Sequence, residues 1–310
     1  MNISAALVKD LRERTGSGMM ECKKALVEAG GDIEAAIELM RKSGLAKADK
    51  KSSRTAAEGR IALKSSVDGK SAVVLEINCE TDFVAKNDDF IAFADAVAQA
   101  LLASDASTLD EALALNLAQD AGGEWVGGNA SIEENRRELI AKLGENINVR
   151  RFERYTSANG VIASYLHGTR IGVLVEIIGG DVTLGKDIAM HVAASRPVCV
   201  DETGVSPDLI AKEREIALAQ IEAEENEKPE DKRKPAALIP KIVEGKINKF
   251  LGEITLLGQP FVKDDKQTVG ALLKSKGASV PRFARLEVGE GIAKEDSNFA
   301  EEVMTQAGLR

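Results

Sequence analysis

The chain has 310 residues, 44% hydrophobic and 29% charged, with aromatics at only 4%. That is material for two or three compact units whose cores rest on Ala, Val, Ile and Leu. A net charge of −9 argues against a duplex-binding protein, because phosphate contacts demand a basic face.

Three short helices are expected in the first 45 residues. Ser4 can cap the first, whose apolar positions include Leu7 and Leu11. Thr15-Gly16-Ser17-Gly18 breaks it, and Met19, Met20, Ala25 and Leu26 mark the second. Gly30-Gly31 ends that helix, and Asp32 caps a third carrying Ile33, Ala36, Ile37 and Met40. A core this small is marginal alone, which suits a docking module. Residues 1–54 hold 11 Lys/Arg against 8 Asp/Glu, so the balance is locally basic. Residues 44–58 lack a sustained apolar face and read as a linker or an exposed helix end.

An internal repeat begins near residue 58. Glu58-Gly59-Arg60-Ile61-Ala62, a turn at Val67-Asp68-Gly69 and Ala72-Val73-Val74-Leu75-Glu76-Ile77 are echoed by Asn159-Gly160-Val161-Ile162-Ala163, a turn at His167-Gly168 and Gly172-Val173-Leu174-Val175-Glu176-Ile177. Both copies read as strand, turn, strand. Each precedes an apolar helix, through Phe90–Ala98 and Ile188–Ala194 respectively. The expected fold class is therefore α+β, with a duplicated core of antiparallel sheets.

Between the copies, residues 105–130 read as a surface loop containing Trp125, an expected packing anchor, and Glu133–Gly144 as a helix. Ser206 caps a long charged helix with Pro207 in its first turn; a second helix runs through Ile242, Val243, Ile247 and Phe250, making a projecting helical hairpin. Strand-like text returns at Phe283–Val288, and a short helix is expected near Phe299–Thr305. The expected segments are thus 1–54 (helical bundle and linker), 55–155 (first core half), 156–200 (second half), 201–256 (hairpin), 257–291 (return to the second half) and 292–310 (C-terminal module).

Tests for chemistry return little. No GxxxxGK[ST], no GxGxxG opening a βαβ unit, no GxSxG and no HExxH is present. Cys22, Cys79 and Cys199 form no CxxC pair, so neither a disulfide framework nor a zinc site is expected, and reduced thiols in a cytoplasm are the simple reading. No apolar run of about 18 residues is present, so no membrane helix is expected, and no secretory h-region opens the chain. His191, within an apolar helix, is expected to be packed, whereas His167, in a turn, is an exposed contact residue. Cys79 with His167 and Asp82 makes a formal nucleophile set, set against the commoner use of free cysteine as a small buried hydrophobe. No catalytic residue, metal ligand or cofactor is expected.

The peptide Thr81-Asp82-Phe83-Val84-Ala85-Lys86-Asn87 follows an apolar strand and precedes an apolar helix. Two readings stand on the residues alone. In one, Phe83 packs inward and Asp82 caps the helix. In the other, Phe83 enters an apolar groove of a partner while the carboxylate reaches an ion or a basic group.

Leu11–Leu26, Asn78–Asn87, His167–Val175, Met190–Ala194, Gly258–Val262 and Glu287–Gly291 together resemble, in order and over nearly the whole chain, bacterial translation elongation factor Ts. The resemblance implies a guanine nucleotide exchange factor, without covalent chemistry, that binds elongation factor Tu carrying GDP and promotes GDP release. It implies a ubiquitin-associated-like bundle in which Met19 and Met20, joined by Leu11, touch the partner. It implies that Asp82 and Phe83, flanked by Thr81 and Val84, intrude near the partner's magnesium site, and that His167 makes a further contact. The hairpin is similar to a region implicated in self-association, so a homodimer is expected there; the last helix resembles a module that touches the partner. No nucleic acid and no membrane is expected as a direct partner.

Overall fold

The computed structural model of the chain describes residues 3–117, 130–229 and 233–293. Trp125 and the helix expected near Phe299–Thr305 lie outside them. Two compact units are present, one of residues 3–64, 75–117, 130–152 and 286–293, the other of residues 65–74, 153–229 and 233–285.

The first unit opens with α1 (Ala5–Thr15), α2 (Met19–Glu28) and α3 (Ile33–Lys51). Each boundary has a local cause. Ser4 accepts from the Leu7 N–H, Gly16 adopts the left-handed conformation that ends α1, and Asp32 accepts from the Ala35 N–H. Val8, Leu11, Cys22, Ala25, Leu26 and Ala36 form the buried core of this bundle.

The chain continues through β1 (Glu58–Ser65), β2 (Ser71–Cys79), α4 (Asp82–Ala85), α5 (Asp88–Ala103), α6 (Leu109–Ala114), α7 (Ile132–Leu143) and β3 (Ile147–Thr156). Two expectations change. Residues 105–130 hold a helix, α6, made by a capping box in which Thr108 and Glu111 satisfy each other's backbone N–H groups. Of the two readings of residues 44–51, the linker fails and the helix end holds: they are the second half of α3, and that half packs on α7. At Gly44 a Cβ would stand 2.9 Å from the Ala141 Cβ, so the small residue permits the close approach. Lys51 also donates through Nζ to the Gly144 carbonyl at 2.6 Å.

In the second unit, β4 (Val161–His167) and β5 (Ile171–Ile178) pair antiparallel, Val161 opposite Ile177 and His167 opposite Ile171. α8 (Val182–Ser195) lays Ile188, Ala189 and Val192 into a core with Val173, Val175 and Ile177. Next come α9 (Pro207–Asn226) and α10 (Ile239–Ile254), a helical hairpin with its own core of Ala217, Ile221, Val243, Ile247 and Leu251. The small strands β6 (Pro260–Phe261) and β7 (Asp264–Thr268), α11 (Val269–Ser275) and β8 (Ser279–Glu287) follow. The sheet orders are β1-β2-β3, β4-β5-β8 and β6-β7, an α+β architecture as expected.

The duplication extends to single atoms. A Cβ at Gly59 would overlap the Ile77 carbonyl oxygen, and a Cβ at Gly160 the matching oxygen of Ile177. Glu76 on β2 is pinned by Arg150 (3.0 Å) and Arg151 (2.6 Å) of β3, and Glu176 on β5 by Arg282 of β8 (2.7 Å). Each central strand therefore carries one carboxylate held from its neighbouring strand.

Candidate functional site

The bundle exposes large apolar side chains at Val27, at Leu39 and most fully at the start of α2, where Gly18 occupies the N-cap and the helix turns its first residues outward. Met19 is 59% exposed and Met20 75%. Such flexible, polarisable side chains suit an adaptable contact. Leu11 departs from the expectation. It is fully buried among Val8, Cys22 and Leu26, so it holds α1 against α2 and offers no surface to a partner.

The corner after β2 is the second feature. Every residue from Ala72 to Cys79 is buried, which fixes this central strand up to its C-terminal end. Thr81, in extended conformation, caps the single turn α4, its side chain accepting from the Val84 N–H at 3.4 Å. Asn87 then caps α5, whose Phe90 and Phe93 are fully buried. The inward-packing reading is overturned on both counts. Phe83 is 82% exposed, and the cap is Thr81 rather than Asp82. Asp82 instead accepts from Lys86 Nζ at 2.6 Å; that bond and the lysine's charge hold its carboxyl below the usual range. Val84 is half-buried.

Behind the corner sits a residue the sequence reading passed over. The Glu145 carboxylate, just after α7, accepts from the backbone N–H groups of Glu80 (3.1 Å) and Thr81 (3.0 Å) and from the Thr81 hydroxyl (2.6 Å). Glu80 answers by accepting from the Asn146 N–H at 2.6 Å. The one signal for this was Gly144, whose left-handed conformation ends α7 and turns the chain so that the Glu145 side chain and the Asn146 N–H meet the strand end.

The nucleophile reading of Cys79 loses its chemistry here. Burial, then the negative charges of Glu145 and Glu58, push its thiol up to about 12. The thiolate is the nucleophile, and this sulfur stays protonated, donating to the Thr81 carbonyl at 3.1 Å.

In the second unit, His167 ends β4 exposed, its Nδ1 3.1 Å from the Tyr165 hydroxyl. His191 is fully buried, as its apolar helix implied. Its Nδ1 accepts from the Val262 N–H at 3.1 Å, which leaves Nε2 to donate to Gln259 Oε1 at 3.0 Å. Burial lowers its pKa against the opposing bond from Gln259, so it is neutral and structural.

Comparison with known proteins agrees with the resemblance drawn from the motifs. The family described as elongation factor TS matches residues 80–290. The chain is 66% identical over 306 residues to elongation factor Ts of Methylococcus capsulatus, covering 99% of each chain. It is 58% identical over 306 residues to that of Halorhodospira halophila, again 99% of each. It is 55% identical over 309 residues to that of Xanthomonas oryzae, covering 100% of both.

Proposed function

The chain belongs to the elongation factor Ts family of translation elongation factors, and from that premise we propose that it is the guanine nucleotide exchange factor of elongation factor Tu. The bundle docks through Met19 and Met20, and His167 adds a contact from the second unit. The α4 turn enters the partner near its magnesium site. Magnesium demands near-octahedral oxygen ligation and is held partly by substrate phosphates, so a small displacement of its surroundings weakens GDP. Linkage then requires that GDP and the factor weaken each other's binding by the same factor.

One observation carries the reading: a phenylalanine 82% exposed at a corner whose flanking strand is buried throughout. Burying that ring in a partner contributes roughly 2–3 kcal/mol, available to deform the nucleotide site without covalent chemistry. Asp82 brings a carboxylate that stays ionised, its charge directed at the metal's surroundings.

Stopped-flow release of a fluorescent GDP from elongation factor Tu tests this directly. Phe83→Ala and Asp82→Ala are expected to slow release while circular dichroism stays unchanged; wild-type acceleration by both would remove the mechanism. Two copies associate through the α9–α10 hairpin, whose Ile216 and Leu218 are 41% and 40% exposed. Sedimentation should report a dimer that Ile216→Lys dissociates. The setting is the cytoplasm; no described helix is long and apolar enough to cross a membrane.

A further inference from the structure

We propose that Glu145 is a positioning residue for the Asp82–Phe83 turn, fixing where the exposed phenylalanine stands relative to the N-terminal bundle. The inference rests on the exchange reading above and adds a residue that need not touch the partner.

The argument starts from the weakness of the turn itself. Helix formation has a costly nucleus, and a segment of four residues cannot stabilise its own geometry. α4 has four residues, none of them buried. Its cap bond, from the Val84 N–H to the Thr81 hydroxyl, is long at 3.4 Å. An exposed apolar ring on such a turn would sample many positions, and each would have to be frozen out on docking at an entropic cost.

The Glu145 carboxylate removes that freedom from behind. Its Oε2 accepts from two consecutive backbone N–H groups, those of Glu80 and Thr81, while its Oε1 accepts from the Thr81 hydroxyl. Bonds to an ionised acceptor are shorter and stronger than neutral ones, and the hydroxyl bond is 2.6 Å. By taking the hydroxyl's proton in a hydrogen bond, the carboxylate also fixes which lone pair of Thr81 faces the Val84 N–H. The cap of α4 and the backbone entering it are thus held by one side chain.

The hold reaches further along the same unit. Asn146, fully buried, donates through Nδ2 to the carbonyls of Arg54 (2.7 Å) and Ser52 (3.3 Å), in the strap that leaves α3. Its backbone N–H donates to Glu80 Oε1, and Arg54 stands 3.5 Å from that same oxygen. Two adjacent residues therefore grip both the turn bearing Phe83 and the chain emerging from the bundle bearing Met19 and Met20. Glu145 sets the turn, and Asn146 sets the strap against it.

A double-mutant cycle in GDP release from elongation factor Tu tests the proposal on the full chain. Glu145→Ala is expected to lower the release rate at saturating factor about tenfold, with the half-saturating concentration changed less than about twofold, since the bundle's contact is intact. Glu145→Gln, which keeps one acceptor oxygen, should recover part of the loss, and it carries the test if the alanine variant fails to fold. In the Phe83→Ala background, replacing Glu145 should slow release by much less than tenfold, because the ring is gone and only Asp82 is left to position. Hydrogen exchange at residues 80–84 of the free protein should quicken in the Glu145 variants. Wild-type release by both Glu145 variants, or a slowing that multiplies unchanged with that of Phe83→Ala, would overturn the positioning role. A Phe83→Ala protein that releases GDP at the wild-type rate would instead overturn the exchange reading itself.

Discussion

The corner after β2 and the corner after β5 occupy matching places in the two repeats, yet they are built differently. After β5, Asp181 caps α8 directly, accepting from the Leu184 N–H at 2.7 Å, and the helix runs on unbroken from Val182 to Ser195. After β2, the helix is interrupted. Thr81 caps one turn, Asn87 caps a second start, and the turn between them carries Phe83. The second corner closes by glycine: Gly179 has positive φ, and a Cβ there would overlap the Gly277 carbonyl. The first has Cys79 and Glu80 in place of Gly179 and Gly180 and is held by the carboxylate of Glu145. One frame thus serves as ordinary sheet-to-helix connection in one copy and as a display platform in the other.

That comparison can be broken most forcefully at the frame itself. The Glu76 carboxylate is pushed upward by burial, but the Gly289 N–H, Asn78, Arg151 and Arg150 together hold it below its ordinary 4.5. Removing its charge leaves partners unmatched in a buried site, so Glu76→Gln should cost about 3 kcal/mol. Glu176, also depressed despite burial, by Ser157 and Arg282, pairs with an arginine 45% exposed, so Glu176→Gln should cost only about 1 kcal/mol. A depressed carboxyl contributes its stability above the unfolded-state pKa and loses it as pH falls through the lower folded value. Urea unfolding followed downward from neutral pH should therefore weaken below about 4.5, and less steeply in Glu76→Gln. Equal costs at the two positions would contradict the asymmetry.

Next in size, Gly59→Ala and Gly160→Ala should each destabilise by about 2 kcal/mol or more in thermal melts, because both set a methyl against a backbone carbonyl. A tolerated substitution at either one would deny that the two hairpins are held alike. The kinetic contrast follows. Phe83→Ala should slow GDP release by about thirtyfold, the equivalent of about 2 kcal/mol of lost burial. Val182, 51% exposed at the matching corner, should be silent: Val182→Ala should leave release unchanged and stability within about 0.5 kcal/mol. A Val182 variant as slow as Phe83→Ala would mean the corners share a role.

Much of this organisation was legible in the residues. Alternation, turn glycines and the echo of Leu75-Glu76-Ile77 by Val175-Glu176-Ile177 were enough to read two related halves, since strand pairing and packing follow period and turn chemistry. The helical hairpin was marked by Ser206-Pro207 and the proline-bearing break between its arms. What escaped depended on tertiary partners. Residues 44–51 lacked a sustained apolar face, and the contacts described there, Gly44 against Ala141 and Lys51 on the Gly144 carbonyl, leave no apolar pattern in the sequence. Leu11 sat in a motif with Met19 and Met20, and nothing local distinguished a core leucine from surface methionines. Phe83 defied composition outright, since its exposure follows from a single turn without buried residues, set by tertiary partners rather than by residue type. Glu145 left no mark beyond the turn glycine before it, because its partners, two backbone N–H groups and the Thr81 hydroxyl, lie far away in sequence.

The union of α3 with α7 has a consequence for how the molecule meets its target. α3 has 19 residues, about 28 Å of rod, and its far half is mortised onto α7 by Gly44 and Ala141. A flexible tether would let the bundle bind and leave the second foot to search a diffuse cloud of positions. A rigid shaft instead presents that foot at one offset, where the effective concentration of the second encounter is greatest if the offset matches the span and collapses if it does not. Under the proposed function the molecule would act as a caliper of fixed gauge, reading the spacing on its partner as much as the chemistry at either point.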